Sequence, residues 1–129
     1  MKFRQFKTTS GKLFLAGKSA ENNEELVAQV GKEEDIFHTA LPGSPFVNIK
    51  AVRTNAQDRE EAAIFCALKS QAWRDNKSDV EVHWFKGKDI YKRKLMKTGT
   101  FGVRNARVIK VKKRDIINAM EKNLCNREK

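Results

Sequence analysis

With 129 residues, 40% of them hydrophobic, the chain is long enough for one packed core and too short for two. It carries 27 Lys/Arg against 16 Asp/Glu, a formal net charge of +11, which points to a polyanionic partner. Three readings are disfavoured: a membrane span, because no apolar run is long enough; a secretory leader, because Met1-Lys2-Phe3-Arg4 has no apolar h-region; and a disulfide scaffold, because Cys66 and Cys125 stand far apart outside any CxxC. A reducing cytoplasm is the expected compartment.

Residues 2–7 and 12–16 read as two strands joined by Thr8-Thr9-Ser10-Gly11, a hairpin loop with a glycine. Ser19 offers an N-cap to a helix of about 12 residues, in which Leu26, Val27 and Val30 share a face and Gly31 can close the end. Asp35-Ile36-Phe37-His38 and residues 46–50 read as strands around the turn Pro42-Gly43-Ser44-Pro45. Residues 57–74 predict one long helix with Ile64, Phe65, Leu68 and Ala72 as its apolar stripe. Alternation in residues 79–84 puts Val80, Val82 and Trp84 on one face, so Trp84 is expected in the core. Phe85 is then expected on the other face with His83 and Glu81, as a candidate base-stacking ring. Lys86-Gly87-Lys88 and Thr98-Gly99-Thr100 are turns, and residues 89–96 fit no single pattern. Residues 101–103 and 107–111 read as strands, the latter putting Lys110 and Lys112 on one face with Val108. A last helix from about Asp115 carries Ile116, Ile117, Met120 and Leu124 as a stripe. The sum is an α+β domain over residues 1–129, a largely antiparallel sheet of short strands with about three helices.

The charge is unevenly spread. Residues 1–75 hold 11 Lys/Arg and 10 Asp/Glu, whereas residues 76–129 hold 16 and 6. Residues 92–114 contain ten basic residues and no acid. Like charges repel, so this density favours nucleic acid over mere solubility. The segment reads as strands and turns rather than an amphipathic helix, so a membrane surface is not expected as partner. The candidate RNA contacts are Lys92, Arg93, Lys94, Lys97, Phe101, Arg104, Arg107, Lys110 and Lys112, mainly to phosphates. His38, Gly43 and Ser44 form a candidate phosphate loop.

Catalysis is the weakest reading. Asp35, His38 and Ser44 match the residue types of a hydrolase triad, but all three lie within ten positions and no G-x-S-x-G elbow frames the serine. No phosphate-binding glycine motif is present, so no nucleotide cofactor is expected. His38, His83, Cys66 and Cys125 have no ligand spacing, so no metal is expected either. Cys66, among Ala63, Ile64, Phe65 and Leu68, reads as a buried inert thiol, while Cys125 near the chain end reads as exposed.

The order of local motifs resembles the RNA-binding domain of the NFACT proteins. Gly17-Lys18-Ser19-Ala20 with Asn22, Asn23 and Leu26 matches its opening segment. Asp35-Ile36-Phe37-His38-Thr39-Ala40, Pro42-Gly43-Ser44 and residues 47–50 match its central signature. Glu61-Ala62-Ala63, Ser70-Gln71-Ala72-Trp73, Gly99-Thr100-Phe101 and residues 107–111 match its alanine-rich helix, its closing turn and its basic strand. The chain departs from the pattern at His38, one place early with Thr39 in the usual histidine position, and at Pro45. The glycosylase-like module, helix-hairpin-helix and coiled coil of full-length members have no counterpart in these residues. The resemblance implies RNA binding, with tRNA or ribosomal RNA as the class and no chemistry on it. In the family as a whole it implies ribosome-associated quality control. The alternative is a protein-docking accessory subunit of a quality-control complex or an RNA-modifying enzyme.

Overall fold

A computed structural model of the chain describes residues 2–122. Within these residues, eight strands and four α-helices run in the order β1 (Arg4–Lys7), β2 (Leu13–Ala16), α1 (Ala20–Ala28), β3 (Asp35–Thr39), β4 (Val47–Ile49), α2 (Ala56–Leu68), α3 (Gln71–Asn76), β5 (Val80–Lys86), β6 (Ile90–Tyr91), β7 (Gly102–Val103), β8 (Arg107–Val111) and α4 (Lys113–Glu121). Six strands form one sheet in the order β1-β2-β4-β3-β5-β8, and β6 and β7 pair separately. Every pairing is antiparallel. The α+β class and the antiparallel sheet agree with the sequence. Cys125 and Leu124 lie outside the described residues.

Both faces of the sheet are covered, and this decides where every alternating side chain goes. On one face α2 packs over β3, β4, β5 and β8 and against α4. Phe6, Phe14, Phe37, Val47, Phe65, Val82, Val111 and Ile116 make the core there. On the other face α1 and the β6–β7 ribbon enclose Leu15, Leu26, Ile36, Phe46 and Phe85, with Ile90, Phe101 and Val103 packed around them. Phe85 is therefore buried at 3% exposure and cannot stack a base from solvent; its expected open face does not exist.

The predicted helix 57–74 is two helices. Lys69 caps α2, Ser70 turns into extended backbone, and its hydroxyl accepts from the Trp73 N–H to start α3. The buried stripe of α2 is Ala62, Ala63, Phe65, Cys66 and Ala67, with Ile64 and Leu68 only partly covered at its margins. In α1 the Ser19 side chain caps as expected, but the helix closes at Gln29, before Gly31.

Asp58 ties the hairpin loop to this helix. It forms a capping box with Asn55, accepts from the Ser10 hydroxyl at 2.6 Å and pairs with Lys12 at 3.3 Å. Burial pushes its carboxyl up, and the hydrogen bonds from Ser10, the Asn55 N–H, Thr8 and Lys12 overcome this and hold it at about 2. A pKa lower in the folded than in the unfolded chain stabilises the fold above the unfolded value and loses that contribution as pH falls through the folded one. We expect the advantage of the wild type over Asp58→Asn in urea melts, about 2 kcal/mol near neutrality, to vanish as the pH drops from about 4 to about 2. An advantage independent of pH over that range would show that Asp58 acts through packing alone.

Candidate nucleic-acid interface

The side chains at the open end of the β3–β5 pair explain the sequence motifs one by one. A Cβ at Gly17 would overlap the Asn23 side chain, which accepts from the Phe46 N–H at 3.2 Å. Asn22 accepts from the Lys18 N–H at 2.8 Å, so Lys18 is presented at the N-terminus of α1. In the loop after β3, Ser44 Oγ accepts from the Thr39 N–H at 3.1 Å, and the Thr39 hydroxyl donates to the Leu41 carbonyl at 2.6 Å. Gly43 sits at φ +97°, where a Cβ would stand 2.8 Å from Gln71 Cβ, and its carbonyl accepts from the Gln71 N–H at 2.7 Å. The start of α3 is thereby locked to the loop.

These elements enclose a cleft of about 840 Å³. Its walls include Lys18, the 42–45 loop, Lys69 and Arg74, and the Thr98-Gly99-Thr100 turn, with Arg4 at one side. His38, His83, Phe46 and Phe101 also line it. Four lining residues are Lys or Arg and none is Asp or Glu. His38 stacks on Phe46 at 4.2 Å, and burial pushes its imidazole down to about 4, so it lines the cleft as a neutral ring. The candidate loop residues His38, Gly43 and Ser44 are thus brought together, within a larger basic cleft.

Three of the basic residues in its walls, Lys18, Lys69 and Arg74, together with Arg4, come from the half of the chain whose charges nearly cancel. Counting by halves missed them. Helix ends gather them: Lys69 caps α2, and Arg74 in α3 is steadied by Gln71 Oε1 at 2.9 Å and the Lys69 carbonyl at 3.2 Å.

The basic segment itself divides. Lys92 pairs with Glu24 of α1 at 2.6 Å, donates to the carbonyls of Lys97 and Thr100, and lies 4.7 Å from the Phe101 ring. The hydrogen bond from Lys92 holds the Glu24 carboxyl below its ordinary value, and the Gly99 N–H also donates to it at 2.7 Å. Lys92 thus fastens the loop to α1. Lys94 and Lys97 are exposed on that loop. Arg93 and Arg104 flank Tyr91 at 5.1 and 4.6 Å, and Arg107 lies 5.1 Å over Trp84. Phe101 is half-buried, edge-on to Phe46 at 5.3 Å. Lys110 projects from exposed β8 beside Val108, as its register required, whereas Lys112 lies beyond the strand, 3.9 Å from Asp79.

The triad types do not meet. Asp35 and His38 point to opposite faces of β3, and the Asp35 carboxylate is taken up by Trp84 and Thr54. Burial pushes the Cys66 thiol up to about 12, so it is no nucleophile at neutral pH. Among the described residues no group of three or more His, Cys, Asp or Glu is placed to hold a metal. Nor is any helix there long and apolar enough to cross a membrane.

The fold and the cleft define a class: a basic α+β domain with a cleft lined by Lys and Arg and by no Asp or Glu. Comparison with known proteins narrows it. The family described as the NFACT protein RNA binding domain matches residues 2–105. The archaeal Rqc2 homolog aRqcH of Methanocaldococcus jannaschii is 32% identical over 114 residues, 81% of this chain and 17% of its own length. The solved C-terminal part of the fibronectin/fibrinogen-binding protein from Streptococcus suis superposes with a TM-score of 0.79 at 25% identity, over 92% of this chain and 49% of that one. The chain belongs to the NFACT RNA-binding domain family. It spans less than half the length of either relative.

Proposed function

We propose that the chain is a non-catalytic RNA-binding domain that grips structured RNA, of the tRNA or ribosomal class, by its phosphates. One observation carries this reading: a cleft of about 840 Å³ lined by four Lys or Arg and no carboxylate, in a family defined by RNA binding. Phosphates entering it meet cations from several elements and the N-terminal end of α1. Lys94 and Lys97 on the loop and Lys110 on β8 extend the basic surface, so the C-terminal half contributes a flank and the cleft draws on both halves. Lys92 serves the loop's shape. A neutral His38, an inert Cys66 and an engaged Asp35 support holding rather than chemistry. The cytoplasm is the proposed compartment, as the wide separation of the two cysteines suggests, and ribosome quality control is the proposed setting, by likeness to the archaeal Rqc2 homolog.

The test is fluorescence anisotropy of a labelled tRNA transcript across a salt series. Each phosphate contact contributes about −0.7 to −0.9 to the slope of log K against log salt, so a slope of several is expected. No affinity at low salt, or affinity indifferent to salt, would overturn the reading. A second reading, docking of an acidic protein partner such as an RNA-modifying enzyme or a ribosomal component, has one observation in its favour. Edge strand β8 is exposed at Arg107, Val108 and Lys110. A pulldown that survives RNase would favour it.

A further inference from the structure

The sheet carries a second cationic cluster, on the face opposite the cleft floor. His38 and His83 face the cleft; Phe37 and Trp84, one position along each strand, face the other way. There the Trp84 indole N–H donates to Asp35 Oδ1 at 2.8 Å. Asp35 is fully buried and also accepts from the Thr54 hydroxyl at 2.6 Å and pairs with Lys86 at 2.9 Å. These bonds fix the plane of the indole.

Two guanidinium groups are laid against that ring, Arg59 from α2 at 4.7 Å and Arg107 from β8 at 5.1 Å. Arg59 is held in place by the Thr54 carbonyl at 2.8 Å and hydroxyl at 3.0 Å. Among the described residues neither arginine forms a salt bridge; Asp35 is engaged by Lys86, while Glu60 and Asp115 line the same small pocket as Arg59. Of these three cations only Lys86 is in an ion pair among the described residues. Cation–π attraction offsets part of the repulsion between the two guanidinium groups, and among the described residues neither has an anion in direct contact. Arg107, exposed at the start of β8, is held among the described residues by the ring contact, which leaves its planar N–H edge open to solvent. That fork matches two oxygens of a phosphate.

We propose that Arg59 and Arg107, ordered on Trp84, form a second RNA-contact site that takes a phosphodiester of a segment other than the one in the cleft. The proposal rests on the RNA reading of the cleft. The two sites lie on opposite faces of the β3–β5 pair, since Trp84 and its partner Phe37 face one way and the neighbouring His83 and His38 face the cleft. A short single strand occupies one site; a folded RNA engages both.

The experiment compares a tRNA transcript with an eight-nucleotide RNA, by anisotropy, on the wild type and on Arg59→Gln/Arg107→Gln. Tryptophan emission is followed in the same titrations. The double variant is expected to bind the transcript about tenfold more weakly, with a salt slope lower by about one to two units, and to bind the octamer as the wild type does. RNA should change tryptophan emission in the wild type and much less in the variant. Arg107→Gln alone, which removes no side-chain hydrogen bond among the described residues, serves if the double variant melts early. Wild-type affinity of the variants for the transcript would overturn this second site and leave the cleft reading standing. So would variants that keep their RNA affinity but lose binding to an acidic peptide. If the wild type binds no RNA, the cleft reading fails and this one with it.

Discussion

Replacing Lys69 and Arg74 together by Glu is expected to weaken binding of a tRNA transcript about a hundredfold at low salt. The two side chains stand on one wall of the cleft, at the junction of α2 and α3. Reversal removes two cations and puts two carboxylates into a space that holds none, so an approaching backbone loses attraction and gains repulsion. At about 1.4 kcal/mol per tenfold, this asks about 1.4 kcal/mol of each position, within the range of a charge-assisted contact. The fold should tolerate the change, because the bonds of Arg74 to Gln71 and the Lys69 carbonyl are exposed. The readout is anisotropy with a parallel thermal melt. Affinity within about threefold of the wild type, in a variant that melts normally, would move the binding surface out of the cleft.

Phe65→Ala is expected to cost about 3–5 kcal/mol of folding stability. Phe65 has no exposed surface and packs against Phe6 at 4.3 Å and Phe14 at 5.6 Å, joining α2 to the first hairpin. Deleting the ring opens a void where three aromatic side chains meet, and the hydrogen-bonded ladder of β1 and β2 resists collapse into it. Leu68, partly exposed at the helix margin, should cost about 1 kcal/mol as Leu68→Ala. Urea unfolding of both variants checks the ranking. Equal losses would mean that the buried stripe of α2 is misassigned.

Much of the fold was legible because its signals are local. The Ser19 cap, the glycine of the first hairpin and the alternation of β5 each act within a few residues. The break between α2 and α3 was hidden because neither Gly nor Pro marks it. Residues 57–74 run on with good helix formers, and only the Ser70 hydroxyl and the distant Gly43 carbonyl divide them. Phe85 was misjudged because alternation says which residues share a face and nothing about what covers it. The candidate site was legible in part. The glycine loop and the basic segment are contiguous in sequence, whereas Arg4, Lys18, Lys69 and Arg74 meet only through the fold. Arg59 had no signal at all, since its partner Trp84 lies on another element. The Lys92–Glu24 pair was equally invisible, spanning 68 positions.

β5 and β8 are antiparallel neighbours, the arrangement that a tight two-residue turn closes. Residues 87–106 stand where that turn would be, as an excursion carrying β6, β7 and the basic loop. Ile90, Phe101 and Val103 are held by the core they cover, so the part free to change length without shifting the flanking strands is the exposed stretch around residues 93–97. Length can therefore vary in that exposed stretch at little cost to the six-stranded sheet, which stays under the constraint of its core.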